Sequence, residues 1–174
     1  MENTKGTGIL SGTKVIVGDS DTKSLLRQKG FGEDAGARQD LSLIEALFLV
    51  ETKNIGVSDG EKELDFDDLL KLGSKAEENF YAKYIVYKDL RSRGLLVRTG
   101  LKFGTDFRVY ERGSTLSTGH SRYLVHVIPE EHTCSFPELS RAVRLAKGVH
   151  KDIIFAIVDE ECDVIYYLVD RVRL

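Results

Sequence analysis

The sequence predicts a mixed α/β (α+β) chain in two parts. A small N-terminal α/β domain covers residues 1–81, and a C-terminal domain with a central mixed sheet flanked by helices covers residues 82–174. Three observations predict this. Two Ser-x-x-Glu capping boxes, Ser42/Glu45 and Ser135/Glu138, open helices in different halves of the chain. After Gly94 the texture changes from helical periodicity to short β-type runs set between glycine turns. The order of strands, helix and strands that follows is too mixed for a doubly wound dinucleotide fold, and neither GxGxxG nor GxxxxGK[ST] occurs.

Taken in order, a β-type run at Thr13–Val17 precedes turn-rich segments around Gly18 and Gly30–Gly36. Behind the Ser42 cap, Leu43, Ala46, Leu47 and Val50 recur at helical period. Asp65 and Asp68 mark the start of a second helix, DFDDLLKLG, with Gly73 as its closing residue. A longer helix is expected from about Lys75 to Arg93, joining the two parts. Phe80, Tyr84, Tyr87 and Arg91 share one face of it, and Gly94 suits the position after its end. LLVRTG, DFRVYER and SRYLVHVI then read as strands, with turns at Gly100–Gly104 and a loop at Gly113–Gly119. The Ser135 cap opens the helix FPELSRAVRLAKG, which Gly148 can terminate. IIFAIV reads as a buried strand, DEECD as an acidic turn and VIYYLVDRV as a final strand.

Composition narrows the function classes. With 41% apolar and 30% charged residues in 174, the chain has enough material for a core. Its apolar runs reach six residues, as at Ile153–Val158, against the roughly 18–20 that a spanning helix needs. The opening MENTKGTGIL has neither the basic nor the apolar region of a signal peptide, so a cytoplasmic protein without a membrane partner is expected. Cys134 and Cys162 form no CxxC or Cys/His ligand spacing and read as idle thiols. Scarce Gln, Met and Asn beside many charges hint at a thermophilic source. Net charge is −3 but uneven: residues 1–81 carry 10 basic and 16 acidic side chains, residues 82–174 carry 15 and 12. Phosphate affinity follows local charge, so the C-terminal half is the part able to face a nucleic acid, although an excess of three is also ordinary surface variation.

All four histidines, His120, His126, His132 and His150, lie in the last third. Their spacing is wider than that of usual metal-ligand sets, so no metal and no cofactor is expected. His120 stands apart, between Gly119 and Ser121, where a small-residue loop meets a strand. An exposed imidazole held there suits proton transfer. Tyr110 ends the preceding strand and Lys151 starts the next buried one, so three polar groups stand at strand mouths; spacing alone does not make them converge.

The segments GTDFRVYERG, GHSRYLVHV, AVRLAKGVHK and IIFAIVDEECDVIYYLV resemble, in order and spacing, the archaeal tRNA-splicing (tRNA-intron) endonucleases. DLSLIEALFLVE looks like that family's N-terminal helix, so the likeness spans nearly the whole chain. It implies a nuclease-like C-terminal domain and a Tyr/His/Lys triad, matched here by Tyr110, His120 and Lys151. It also implies an arginine that stacks on a flipped bulge base, for which Arg144 is the best counterpart. Cys162 departs from the glycine expected in the acidic turn, which puts that turn's conformation in question, because Gly accepts positive φ far more readily than Cys.

The implied chemistry is metal-free attack of a 2′-hydroxyl on the adjacent phosphorus, leaving a 2′,3′-cyclic phosphate and a 5′-hydroxyl. It needs a base, an acid and a cation for the developing charge. His120 suits the acid, Lys151 the cation and Tyr110 the base, an awkward role for a group whose free form titrates near 10, though a neighbouring cation favours phenolate. Asp159, Glu160, Glu161 and Asp163 have two readings: a Mg²⁺ site, or, as the resemblance implies, a loop docking into a basic groove of a neighbouring subunit. The final strand, with Ile165, Tyr166, Leu168 and Val169, reads as a dimer seam or as an ordinary buried strand. The implied partner is precursor tRNA with a bulge–helix–bulge, cut by a homotetramer or by a heterotetramer with a structural subunit. The rival readings are a non-catalytic subunit of such a complex and a plain RNA-binding module.

Overall fold

Six short strands form the sheet of the N-terminal unit because each apolar run there is brief and broken by glycine or a charged residue. The computed structural model describes residues 6–114, 119–172 and 174, and the chain divides after Tyr81 into two units. In the first, β1 (Thr7–Ser11) and β2 (Lys14–Val17) make a hairpin. They are followed by α1 (Ser20–Gln28), β3 (Glu33–Asp34), β4 (Gln39–Ser42), α2 (Leu43–Glu51), β5 (Gly56–Ser58), β6 (Glu63–Leu64) and α3 (Phe66–Ala76). The sheet order is β3-β4-β2-β1-β5-β6, antiparallel except for the β1–β5 pair. Val15, Val17, Leu41, Leu47, Leu49, Val57 and Leu69 form its buried interior.

The Ser42/Glu45 capping box is present, and its glutamate does more than cap. Glu45 Oε2 takes the Ser42 amide at 2.9 Å while Oε1 takes the Gly32 amide at 2.8 Å, pinning α2 to the loop before β3. Asp65 caps α3 as expected, but the helix runs through Gly73 to Ala76. Gly73 is required there because the Phe80 ring lies where a Cβ would stand. The expected single helix from Lys75 to Arg93 is also corrected. The chain breaks after Ala76, Asn79 takes a left-handed φ of 54°, and α4 spans Phe80–Ser92. Helix α1, with Asp19 as its cap, lies in a stretch that the sequence marks only as turns.

In the second unit, β7 (Val97–Thr99), a 3₁₀ turn (Leu101–Phe103), β8 (Phe107–Tyr110), β9 (Ser121–Pro129), α5 (Phe136–Gly148), β10 (Asp152–Val158) and β11 (Val164–Val169) follow α4. The strand order is β11-β10-β9-β8-β7. Only β9 and β10 are parallel, and α5 supplies the crossover that parallel neighbours need. Val143 and Ala146 of α5 pack on Leu124, Ile153 and Phe155. The Ser135/Glu138 box opens α5, but Gly148 is not its left-handed terminator: His150 takes that conformation, with φ 56°. Residues 115–118 of the expected loop lie outside the described residues. Among the described residues no helix is long and apolar enough to cross a membrane.

Candidate active site

Strand direction decides which polar residues meet. β8 is antiparallel to β9, so the end of β8 lies beside the start of β9; β10 is parallel to β9, so its start lies at the same end of the sheet. Tyr110 is the last residue of β8, His120 immediately precedes β9, and Lys151 immediately precedes β10. Tyr110 is paired with Ser121, next to His120, at a register shift between Val109 and Tyr110. Such an irregularity turns a side chain away from the strict alternation of its strand. Lys151 Nζ donates to the Ser121 carbonyl oxygen, so the lysine is tied to the residue that links the other two.

The three groups differ in environment. Tyr110 is 5% exposed, His120 is exposed and Lys151 is half-buried. The Lys151 ammonium stands 5.5 Å from the centroid of the Phe103 ring. Burial, and then repulsion from the Arg108 guanidinium, lower its pKa below the ordinary lysine value. Beside it, Arg122 pairs with Glu111 and lies 3.6 Å from Asp152, which also binds Lys147 at 2.8 Å. A phenol, an imidazole and an ammonium at one sheet end supply the donor and acceptor types that phosphodiester cleavage uses.

The remaining predicted positions lie elsewhere. Arg144 is exposed on α5, one turn before the helix end that leads into Lys151. The acidic turn connects the far end of β10 to β11. Seven strand residues separate it from the Lys151 end, roughly 20 Å at about 3.3 Å per residue. There Asp159 Oδ1 accepts from the Asp163 amide at 2.8 Å, and Glu130 accepts from the Glu160 amide at 3.0 Å. Cys162 adopts φ 65°, the left-handed conformation its glycine-like position requires. Among the described residues no three His, Cys, Asp or Glu side chains are grouped so as to hold a metal ion. His126 instead faces Asp106, 3.7 Å away, and stacks on Phe155.

Three neighbours of the lysine, Ser121, Phe103 and Arg108, escape sequence reasoning. The first two meet it through a backbone carbonyl and a ring face, which carry no motif. Arg108 stands in DFRVYER, two residues before Tyr110, where nothing local sets it apart from an ordinary outward strand charge.

Comparison with known proteins matches both units. Residues 6–70 match the family model for the tRNA intron endonuclease N-terminal domain, and residues 80–166 match that for the tRNA intron endonuclease catalytic C-terminal domain. A tRNA-splicing endonuclease of Thermococcus gammatolerans is 46% identical over 165 residues, 94% of this chain and 96% of the relative. One from Pyrococcus furiosus is 44% identical over 165 residues, 92% and 93% of the two chains. One from Methanococcus maripaludis is 41% identical over 166 residues, 95% and 93%. The family resemblance seen in the sequence holds in both halves.

Proposed function

This chain belongs to the tRNA intron endonuclease family, and from that membership we propose that it is the catalytic chain of a cytoplasmic enzyme that excises introns from precursor tRNA at bulge–helix–bulge sites. One observation supports the assignment of its site: three adjacent strand ends bear Tyr110, His120 and Lys151 at one end of the sheet. Tyr110 takes the proton of the 2′-hydroxyl, whose oxygen then bonds to the adjacent phosphorus. Lys151 faces the negative charge that builds on the non-bridging oxygens. His120 gives a proton to the departing 5′-oxygen as the phosphorus–oxygen bond breaks, leaving a 2′,3′-cyclic phosphate and a 5′-hydroxyl. No atom of this scheme requires a metal ion.

Arg144 is free on the surface of α5 to stack on a splayed bulge base. The acidic turn, roughly 20 Å from the strand ends, is assigned to subunit docking, consistent with a symmetric assembly that offers two equivalent sites to two scissile bonds. The assay is cleavage of a model bulge–helix–bulge RNA in excess EDTA by the wild type and by His120→Ala. Cyclic-phosphate product from the wild type is expected, with loss of about 10²–10⁴ in rate for the variant at near-parental RNA affinity. Cutting that appears only with Mg²⁺ would move the site to the acidic turn. A variant that behaves like the wild type would leave an RNA-binding or structural role.

A further inference from the structure

The carboxylates around the strand ends are already committed. Asp106 is held by Lys83 at 3.1 Å and faces His126. Glu111 pairs with Arg122, and Asp152 with Lys147 and Arg122. Lys151 and Arg108 take no part in these pairs. Lys151 has only the Ser121 carbonyl as a hydrogen-bond acceptor among the described residues, and Arg108 has no hydrogen-bond or ion-pair partner among them. The Nε of Arg108 is moreover buried, cut off from the water that would otherwise satisfy it.

The register puts these two cations on one face. Arg108 pairs with Leu124 of β9, and Leu124 pairs with Ile153 of β10. Residues paired across a sheet share a face, and Lys151, two before Ile153, shares it too. Phe103 packs against the cluster that contains Leu124 and Ile153, and the Lys151 ammonium lies over its ring. Two like charges, one with a desolvated donor, thus sit beside an apolar cluster, and neither has an ion-pair partner among the described residues. Unpaired buried donors and like charges are each unfavourable, so an anion from outside would stabilise this arrangement. A guanidinium fork matches two phosphate oxygens at once.

Resting on the endonuclease reading above, we infer that Arg108 is a second phosphate-binding residue of the site, gripping an RNA backbone phosphate beside the one that Lys151 faces. In this scheme Arg108 makes no proton transfer. It fixes the register of the RNA strand so that the scissile phosphate reaches Tyr110 and His120. Its like-charge repulsion with Lys151 is relieved when the phosphate enters.

The test is binding of a bulge–helix–bulge RNA carrying 2′-deoxynucleotides at both scissile positions, which cannot be cleaved by this route, measured across a salt series. Arg108→Gln is expected to weaken binding several-fold at about 0.1 M salt and to lower the slope of log K against log salt by about 0.7–0.9, the value for a single phosphate neutralised by one cation. Arg108→Lys should keep most of the slope but bind more weakly than the wild type. A folded Arg108→Gln protein with parental affinity and slope overturns the inference. If that variant does not fold, wild-type melting in a few millimolar inorganic phosphate against chloride at equal ionic strength decides, a concentration too low for the general stabilising effect of excluded phosphate: a melting temperature that rises and saturates supports the site, and equal melting refutes it. These outcomes are separate from those of the endonuclease reading. A wild type that cleaves while Arg108→Gln binds like the parent removes only Arg108 from the site; a wild type that never yields cyclic phosphate overturns the reading itself, and the salt slope still judges the phosphate grip.

Discussion

Replacing Cys162 by glycine is expected to stabilise the protein. The β10–β11 hairpin is held by six register pairs, from Ile153↔Val169 to Val158↔Val164, and closed by the turn Asp159–Asp163. Cys162 occupies φ 65° in that turn, where a Cβ crowds the backbone at a cost of about 1–2 kcal/mol. Glycine removes that cost but gives back about 0.5–1 kcal/mol, because it has more backbone freedom to lose on folding. The difference is a gain of about 0–1.5 kcal/mol, centred near ~0.8, which is about 2–3 °C in Tm for a chain of this size. Nothing else in the turn should change. Its bonds run from the Cys162 amide to the Asp159 carbonyl and from the Asp159 amide to the Asp163 carbonyl, both at 3.1 Å, from the Asp163 amide to Asp159 Oδ1 at 2.8 Å and from the Glu160 amide to Glu130 at 3.0 Å, and none uses the thiol. Urea unfolding at one fixed protein concentration is the assay, so that any assembly contributes equally to both proteins. The midpoint should rise with an unchanged m-value, whereas Cys162→Ala, which keeps the Cβ, should stay within about 0.5 kcal/mol of the wild type. A glycine variant no more stable than the alanine variant would refute the strain argument.

Two further outcomes test the packing and the buried charge. Gly73→Ala gains about 1 kcal/mol of helix propensity but sets a Cβ 2.1–2.5 Å from ring atoms of Phe80, itself 3% exposed, at an overpacking cost of about 1–3 kcal/mol; urea unfolding should show a net loss, and a net gain would mean the ring is free to move. At Asp106 burial alone would raise the carboxyl pKa, but the His126 ring, the Val127 amide and the Lys83 ammonium together hold it below the ordinary carboxylate value. A depressed folded pKa contributes stability that is present above the unfolded value of about 3.9 and is lost as pH falls through the folded one. The urea midpoint of Asp106→Asn should therefore fall less steeply below about pH 4 than that of the wild type, and parallel acid limbs would show that the carboxylate is not responsible.

What can be read from the chain alone divides along the range of the interactions involved. Both capping boxes are bonds between residues three apart, and both form as expected, at Ser42/Glu45 and Ser135/Glu138. In the second unit β9, β10 and β11, six to nine residues long, announce themselves through their apolar content. The strands of the first unit are two to five residues long, and β1 finds its parallel partner β5 49 residues away (Thr7↔Gly56), so no local pattern marks that pairing. Helix α1 has few apolar residues and hides behind turn-forming ones. Gly73 and Gly148 are punctuation in sequence, yet in the fold one receives a phenylalanine ring and the other lies two residues before the His150 that takes the left-handed turn.

The site divides the same way. Residue type and family likeness suffice to propose Tyr110, His120 and Lys151, but their placement at one end of the sheet depends on β10 running parallel to β9 rather than against it. Had β10 been antiparallel, Lys151 would stand at the opposite end of the sheet, roughly 20 Å away. Arg108 is further still from what a motif can show. In DFRVYER it is one charge among several, and only the three-dimensional distribution of carboxylates leaves it without a protein partner among the described residues: Asp106 goes to Lys83, Glu111 to Arg122 and Asp152 to Lys147. The phosphate grip inferred for Arg108 rests on what its neighbours have already bound, and that is a property of the whole sheet rather than of any short stretch of sequence.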